Sequence, residues 1–178
     1  MQRNIIANMK KFSACLLLVF LIIALDQVTK SLIQSHFYIG ETVPVIKNLF
    51  SLTYVTNKGA AFGMLAHAND WIRRLLFLLV PVVACLWFVW LIWQARNKYL
   101  IQQLSYSLIL AGAIGNLIDR FYLGFVVDFF DFYWGDNHFP AFNVADSSIT
   151  IAAALLIIEA LYLTKKKITH APSTIDKK

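Results

Sequence analysis

Phe12-Ser-Ala-Cys-Leu-Leu-Leu-Val-Phe-Leu-Ile-Ile-Ala-Leu-Asp-Gln-Val-Thr-Lys-Ser-Leu-Ile33 is the stretch on which the fold turns. From Phe12 to Leu25 it holds a single polar residue, Ser13. As helix, the run to Ile33 is long enough to cross the hydrocarbon core of a bilayer, which takes about 20 residues. It then carries Asp26 and Lys30 one helical turn apart near its end. Three further runs of similar length follow, at about 72–93, 100–121 and 146–163, the third more polar than the others. The whole chain of 178 residues is 59% hydrophobic and 15% charged, too apolar for the surface of a water-soluble domain of this size. The expected fold is therefore an all-α membrane protein with four transmembrane helices, forming one integral membrane domain over 1–178.

Arg3, Lys10 and Lys11 precede the first run. They give it the look of a signal peptide, but it continues into Asp26 and Lys30 without a small-residue cleavage pattern. We expect the helix to be retained. Arg96 and Lys98 separate the second and third runs, and Lys165, Lys166 and Lys167 follow the fourth. By the positive-inside rule both termini, including the polar tail 165–178, face the cytoplasm, and two loops face outward. Arg73 and Arg74, at the outer end of the second run, oppose this count but do not outweigh it. The net charge of +6 is thus a topology signal. It forms no basic stripe of the kind that binds nucleic acid. Cys15 and Cys85 lie in different apolar runs without a CxxC or a histidine cluster, so a disulfide or a zinc site is not expected.

The first outward loop, about 36–71, is too long to be a bare connection. Its segment Thr42 to Val55 is rich in β-branched and aromatic residues and partly alternates, which predicts one or two short strands at the membrane surface. Asn57-Lys58-Gly59 reads as a turn. The small residues of Ala60-Ala-Phe-Gly63 allow a close backbone approach. The second outward loop, 122–145, holds Asp128, Asp131 and Asp136 among nine aromatic side chains and reads as interfacial.

Ionisable groups inside a span cost about 2.5–3.5 kcal/mol each on insertion scales and need partners. Asp26 and Lys30 can pair along one helix face, either as an interfacial anchor or to help shape an active site. Gly112, Asn116 and Asp119 share a face of the third run, where Gly112 permits close helix approach. Asp119 and the adjoining Arg120 diverge, so each must find its partner elsewhere. Asp128 lies beyond the end of the third run and Asp146 at the start of the fourth, where it can cap the helix. By spacing alone, interfacial acid, cap and catalytic pair all remain open. Two carboxylates brought together in a dry site would share one proton and could activate water against a carbonyl.

Five segments appear in order: Asp26-Gln-Val-Thr-Lys30, Asn57-Lys-Gly-Ala-Ala-Phe-Gly63, Gly112-Ala-Ile-Gly-Asn-Leu-Ile-Asp-Arg120, Val126-Val-Asp-Phe129 and Phe142-Asn-Val-Ala-Asp146. In that order, within a four-span chain, they resemble the lipoprotein signal peptidase (signal peptidase II) family. The resemblance implies a small extracytoplasmic β-sheet beside the four helices, and a membrane aspartic endopeptidase with Asp128 and Asp146 as its catalytic dyad. It implies that Asn57, Gly59, Asn116, Arg120 and Asn143 bind substrate or order the dyad, with Asp26, Lys30 and Asp119 in support. The implied substrate is a diacylglyceryl-prolipoprotein, cut just before its lipidated cysteine at the outer face of the bacterial cytoplasmic membrane. We expect no cofactor, membrane lipid as a neighbour, and activity as a monomer. A proton-coupled transporter and a non-catalytic assembly factor are the rival readings. The first requires acids along a path across the bilayer, whereas Asp26, Asp119, Asp128 and Asp146 gather toward one face.

Overall fold

The computed structural model describes residues 2–58, 70–95 and 100–169. Gly59, the small-residue segment 60–63, Arg96 and Lys98 lie outside the described residues, as do the side chains of Arg3, Arg73, Arg74 and Lys165 to Lys167. Four long helices run up and down: α1 (Gln2–His36), α2 (Asp70–Ala95), α3 (Leu100–Tyr122) and α4 (Val144–Thr169). Each contains a segment long and apolar enough to cross a membrane: Ile6–His36, Leu75–Ala95, Leu100–Tyr122 and Val144–Thr164. The expected spans are all present, and each helix reaches beyond its apolar run.

The polar character of the third span has a structural reason. Helix α3 packs against all three others, and 44% of its apolar window is buried against 11–22% for theirs. A helix surrounded by protein can carry Asn116 and Asp119, because its neighbours supply partners that lipid lacks. The outer three show lipid their large side chains, among them Phe20, Leu86 and Ile158. Between the helices, Cys15, Val19, Ile92, Leu110 and Ala111 form the buried core, with Cys85 packed against it. Gly112 lets α3 approach α4 closely. A Cβ there would collide with the Ala145 carbonyl oxygen and stand 2.6 Å from Ser148 Oγ.

A four-stranded antiparallel sheet closes one end of the bundle in the order β1 (Thr42–Ile46), β2 (Phe50–Asn57), β3 (Val126–Trp134), β4 (Asn137–His138). The strands expected within Thr42 to Val55 are β1 and β2, turning through Asn48 at φ 65°, a conformation asparagine tolerates. The segment 122–145, read as an interfacial loop, instead holds two strands, β3 and β4. β3 pairs along β2 from Phe50↔Phe132 to Asn57↔Val126 and so joins the two connections between helices into one sheet. Nothing local announces this, since a run of aromatics with acids alternates imperfectly and gains its partner only from a strand about 70 residues earlier. Ile33, Tyr54, Val127 and Phe129 pack beneath the sheet and fix it to the end of α1. Gly135 (φ 59°) then opens a two-residue turn that folds β4 back on β3.

Candidate active site

The polar residues gather where the sheet meets the helix ends. Lys30 Nζ lies 2.8 Å from Asp26 Oδ2, but this pair is no interfacial anchor: the two side chains are 2% and 0% exposed. Asp119 Oδ2 on α3 stands 2.9 Å from the same ammonium, and Asn116 Oδ1 accepts from it at 3.0 Å. Lys30 thereby uses all three of its donors. A buried ammonium is tolerated only when paired and hydrogen-bonded. Two carboxylates around one cation leave an excess negative charge, which neutral donors offset. The Ala145 backbone N–H donates to Asp26 Oδ1 at 2.9 Å and the Val127 N–H to Asp119 Oδ2 at 3.0 Å. Gln27 Nε2 donates to Asp119 Oδ1 at 3.0 Å. Ala145 lies in the first turn of α4, so Asp26 satisfies one of that helix's unpaired amides from another helix. Gly115 leaves room for the arrangement, since a Cβ there would stand 2.7 Å from Asp26 Oδ2.

Asp128 and Asp146 are held on the other side of Asn116. Asp128, on β3 and 2% exposed, accepts from Asn57 Nδ2 at 3.1 Å and from Asn143 Nδ2 at 2.7 Å. Asp146 accepts from Asn116 Nδ2 at 2.7 Å and from the Asn143 backbone N–H at 3.3 Å. In return, Asn143 Oδ1 accepts from the Asp146 N–H at 2.9 Å. This reciprocal pair is a capping box. The cap of α4 is therefore Asn143, while Asp146 takes the third helical position. Asn143, fully buried, thus contacts one aspartate with its side chain and the other with its backbone.

The two carboxylates have amides as hydrogen-bond partners, with cations at longer range. Burial pushes the Asp128 carboxyl up from 3.8 to about 6. The hydrogen bond from Asn57 opposes that rise, the Asp146 charge adds to it, and Asn143 and Lys30 oppose it. The Arg120 guanidinium lies 5.9 Å above the Phe77 ring, within electrostatic reach of Asp146, Asp128 and Asp119. Its Nε is buried without a hydrogen-bond partner among the described residues. Arg120 and Lys58 line a cavity of about 540 Å³ with Phe77, Phe121 and Phe125. On the opposite flank, Asp146 borders an apolar groove of about 440 Å³ with Phe139, Phe142 and Ile151.

Of the residues singled out by sequence, Asp26, Lys30, Asn57, Asn116, Asp119, Asp128, Asn143 and Asp146 form one hydrogen-bonded constellation, with Arg120 at its edge. Gly59 lies outside the described residues. Gln27 was missed as a contributor. Its one signal is an amide beside an acid within an apolar run. The donation from Ala145 and Val127 had no signal, because backbone amides carry no side-chain signature. Asp131, placed by sequence in an interfacial loop, is buried and paired with His138. Glu159, the acid of the opposite end, lies 13 residues down α4 from Asp146, or about 20 Å of helix. Among the described residues no group of three or more His, Cys, Asp or Glu side chains is arranged to hold a metal.

Comparison with known proteins agrees with this architecture. Residues 18–162 match the family described as Signal peptidase (SPase) II. The lipoprotein signal peptidase of Sulfurihydrogenibium sp. is 44% identical over 162 residues, covering 90% of this chain and 99% of its own. That of Desulforapulum autotrophicum is 43% identical over 142 residues, covering 80% and 88%. A bacterial membrane enzyme solved in meso at 2.3 Å superposes with a TM-score of 0.73 at 32% identity, covering 93% of this chain and 94% of the other. A second, at 1.9 Å, gives 0.73 at 35% identity over 84% and 93%. A match that runs from the first span into the fourth, at this identity and coverage, shows that the chain belongs to the signal peptidase II family.

Proposed function

We propose that this chain removes signal peptides from diacylglyceryl-modified prolipoproteins, cutting just before the lipidated cysteine, with Asp128 and Asp146 activating the attacking water. The observation that carries the reading is the double contact of Asn143, which ties both carboxylates to one buried residue. In this reading the two linked acids act as one dyad, and Asp128, whose carboxyl burial pushes up to about 6, is the member that enters protonated.

Ionised Asp146 takes a proton from water as its oxygen attacks the scissile carbonyl carbon, while Asp128 gives its proton to the carbonyl oxygen. Asp146 then passes its proton to the departing nitrogen, the carbon–nitrogen bond breaks, and the nascent acid returns a proton to Asp128. Arg120, within electrostatic reach of the dyad and with an Nε that has no hydrogen-bond partner among the described residues, holds a substrate carbonyl. Lys30, Asp26 and Asp119 carry fixed charge that orients Asn116 and the start of α4. The lipid anchor of the substrate stays in the bilayer and brings the bond to the depth of the helix ends. In this reading both termini are cytoplasmic, the sheet end faces outward, and the enzyme works in the bacterial cytoplasmic membrane as a monomer without a cofactor.

The test offers a diacylglyceryl prolipoprotein in detergent micelles to purified Asp128→Asn and Asp146→Asn. Both should fold and neither should cleave; normal cleavage by either removes the dyad. Unlipidated precursor should be a poor substrate, and equal rates on both precursors would make this a general peptidase. A cysteine introduced at Gly135 should react from outside with a membrane-impermeant maleimide. Labelling only in inverted vesicles would reverse the topology.

A further inference from the structure

Beyond the dyad, the β3–β4 hairpin holds a buried acid that the mechanism does not use. Asp131, 6% exposed, lies three residues along β3 from Asp128. His138 Nδ1, on β4, lies 2.8 Å from its Oδ1 and 3.0 Å from its Oδ2. An ionised carboxylate only accepts, so Nδ1 must carry hydrogen and donate, whether the imidazole is neutral or charged. The ring also stacks on Tyr133 at 4.9 Å and 10°. The Tyr133 hydroxyl in turn accepts from the Asn48 N–H at 3.1 Å.

The position of this contact gives it consequence. Strand β4 is two residues long, too short to hold a return segment by its ladder alone. From His138 the chain runs through Phe139–Phe142 without helix or regular strand into Asn143, the residue that touches both aspartates. The far end of that run is pinned where the Phe142 carbonyl accepts from Phe129 and Phe130 at 3.0 and 2.8 Å. The near end is pinned by the Phe139 N–H to the Phe132 carbonyl, at 2.7 Å, and by His138 on Asp131.

We propose that His138 is a positioning residue for peptide cleavage: by latching onto Asp131 it fixes the return segment so that Asn143 keeps Asp128 and Asp146 in register. The inference rests on the reading of those two aspartates as the dyad. Two substitutions separate the contacts of His138. His138→Phe keeps a ring to stack on Tyr133 but has no donor. His138→Asn keeps a donor close to the place of Nδ1 but loses the stack.

The experiment measures steady-state cleavage of a diacylglyceryl prolipoprotein and the melting temperature of both variants beside the wild-type enzyme and Asp128→Asn. A loosened catalytic geometry should lower kcat about 10-fold in His138→Phe with KM within about 2-fold, and His138→Asn should recover most of that loss. A purely structural role would move melting temperature without this split between kcat and KM or its rescue. Wild-type kcat in His138→Phe, or no advantage of Asn over Phe, overturns the inference while inactive Asp128→Asn leaves the dyad standing. Normal cleavage by Asp128→Asn overturns the dyad itself. If His138→Phe does not fold, His138→Ser replaces it, and equal kcat for Ser and Asn overturns the latch.

Discussion

Two pairs of acids sit side by side at the sheet end, Asp26, Asp119 and Asp128 buried and Asp146 partly buried, and they are built on opposite principles. Asp26 and Asp119 share the Lys30 ammonium and take backbone or amide donors on their remaining lone pairs. Among the described residues, Asp128 and Asp146 receive hydrogen bonds from asparagine side chains and one backbone N–H. Amides hold a carboxylate in place without pairing it to a cation, whereas the first pair is bound directly to the Lys30 ammonium. The difference separates an ion-paired scaffold from an amide-held pair, within one polar cluster. Asn116 belongs to both, accepting from Lys30 and donating to Asp146.

The contrast breaks most visibly at the dyad. Replacing either Asp128 or Asp146 by Asn should reduce cleavage by about 10²- to 10⁴-fold, the usual contribution of a positioned acid or base, in folded protein. The same exchange at Asp131 or Asp136 should leave far more activity, which the prolipoprotein assay checks directly.

On the scaffold side, Lys30→Met should strand two buried carboxylates and cost about 3–5 kcal/mol of stability, read as a large drop in melting temperature. Adding Asp119→Asn to Lys30→Met should recover part of the loss. No recovery would mean that the Lys30 stem, rather than its charge, supports the bundle.

Gly112→Ala tests the close approach on which both groups depend. The new Cβ meets the Ala145 backbone as well as the Ser148 and Ile149 side chains, so overpacking of about 1–3 kcal/mol is expected, with activity falling alongside melting temperature.

Two pH experiments sharpen the contrast. The folded-state pKa of Asp128 lies above its ordinary value, so ionising it in the folded protein costs stability. That penalty is absent below pH 3.8, grows as pH rises, and is complete above about 6. The melting temperature of Asp128→Asn relative to wild type should therefore increase across that window and then level off. A flat difference would refute the raised pKa. Asn57→Ala removes the leading interaction that opposes the rise. The basic limb of its activity profile should move to higher pH, and a shift to lower pH would contradict the assignment.

Much of this was legible in the chain. The apolar runs placed four helices, Thr42 to Val55 read as strands, and the five ordered segments contained nearly every side chain of the constellation. The roles of particular residues were harder to read. Asp26 and Lys30 look the same in sequence whether they face interfacial water or a second carboxylate on α3. Asp146 looks like a cap until Asn143 is seen to fill that place.

Hydropathy and charge by themselves determined that this chain crosses a membrane four times and gathers its acids near one end, because desolvation of an apolar or charged side chain is a property of that residue and its near neighbours. Only the tertiary structure decided that β3 pairs with β2, that Lys30 answers two acids, and that Asn143 joins Asp128 to Asp146. Those facts depend on contacts between segments far apart in the chain, and on backbone amides that every residue but proline possesses and no sequence distinguishes.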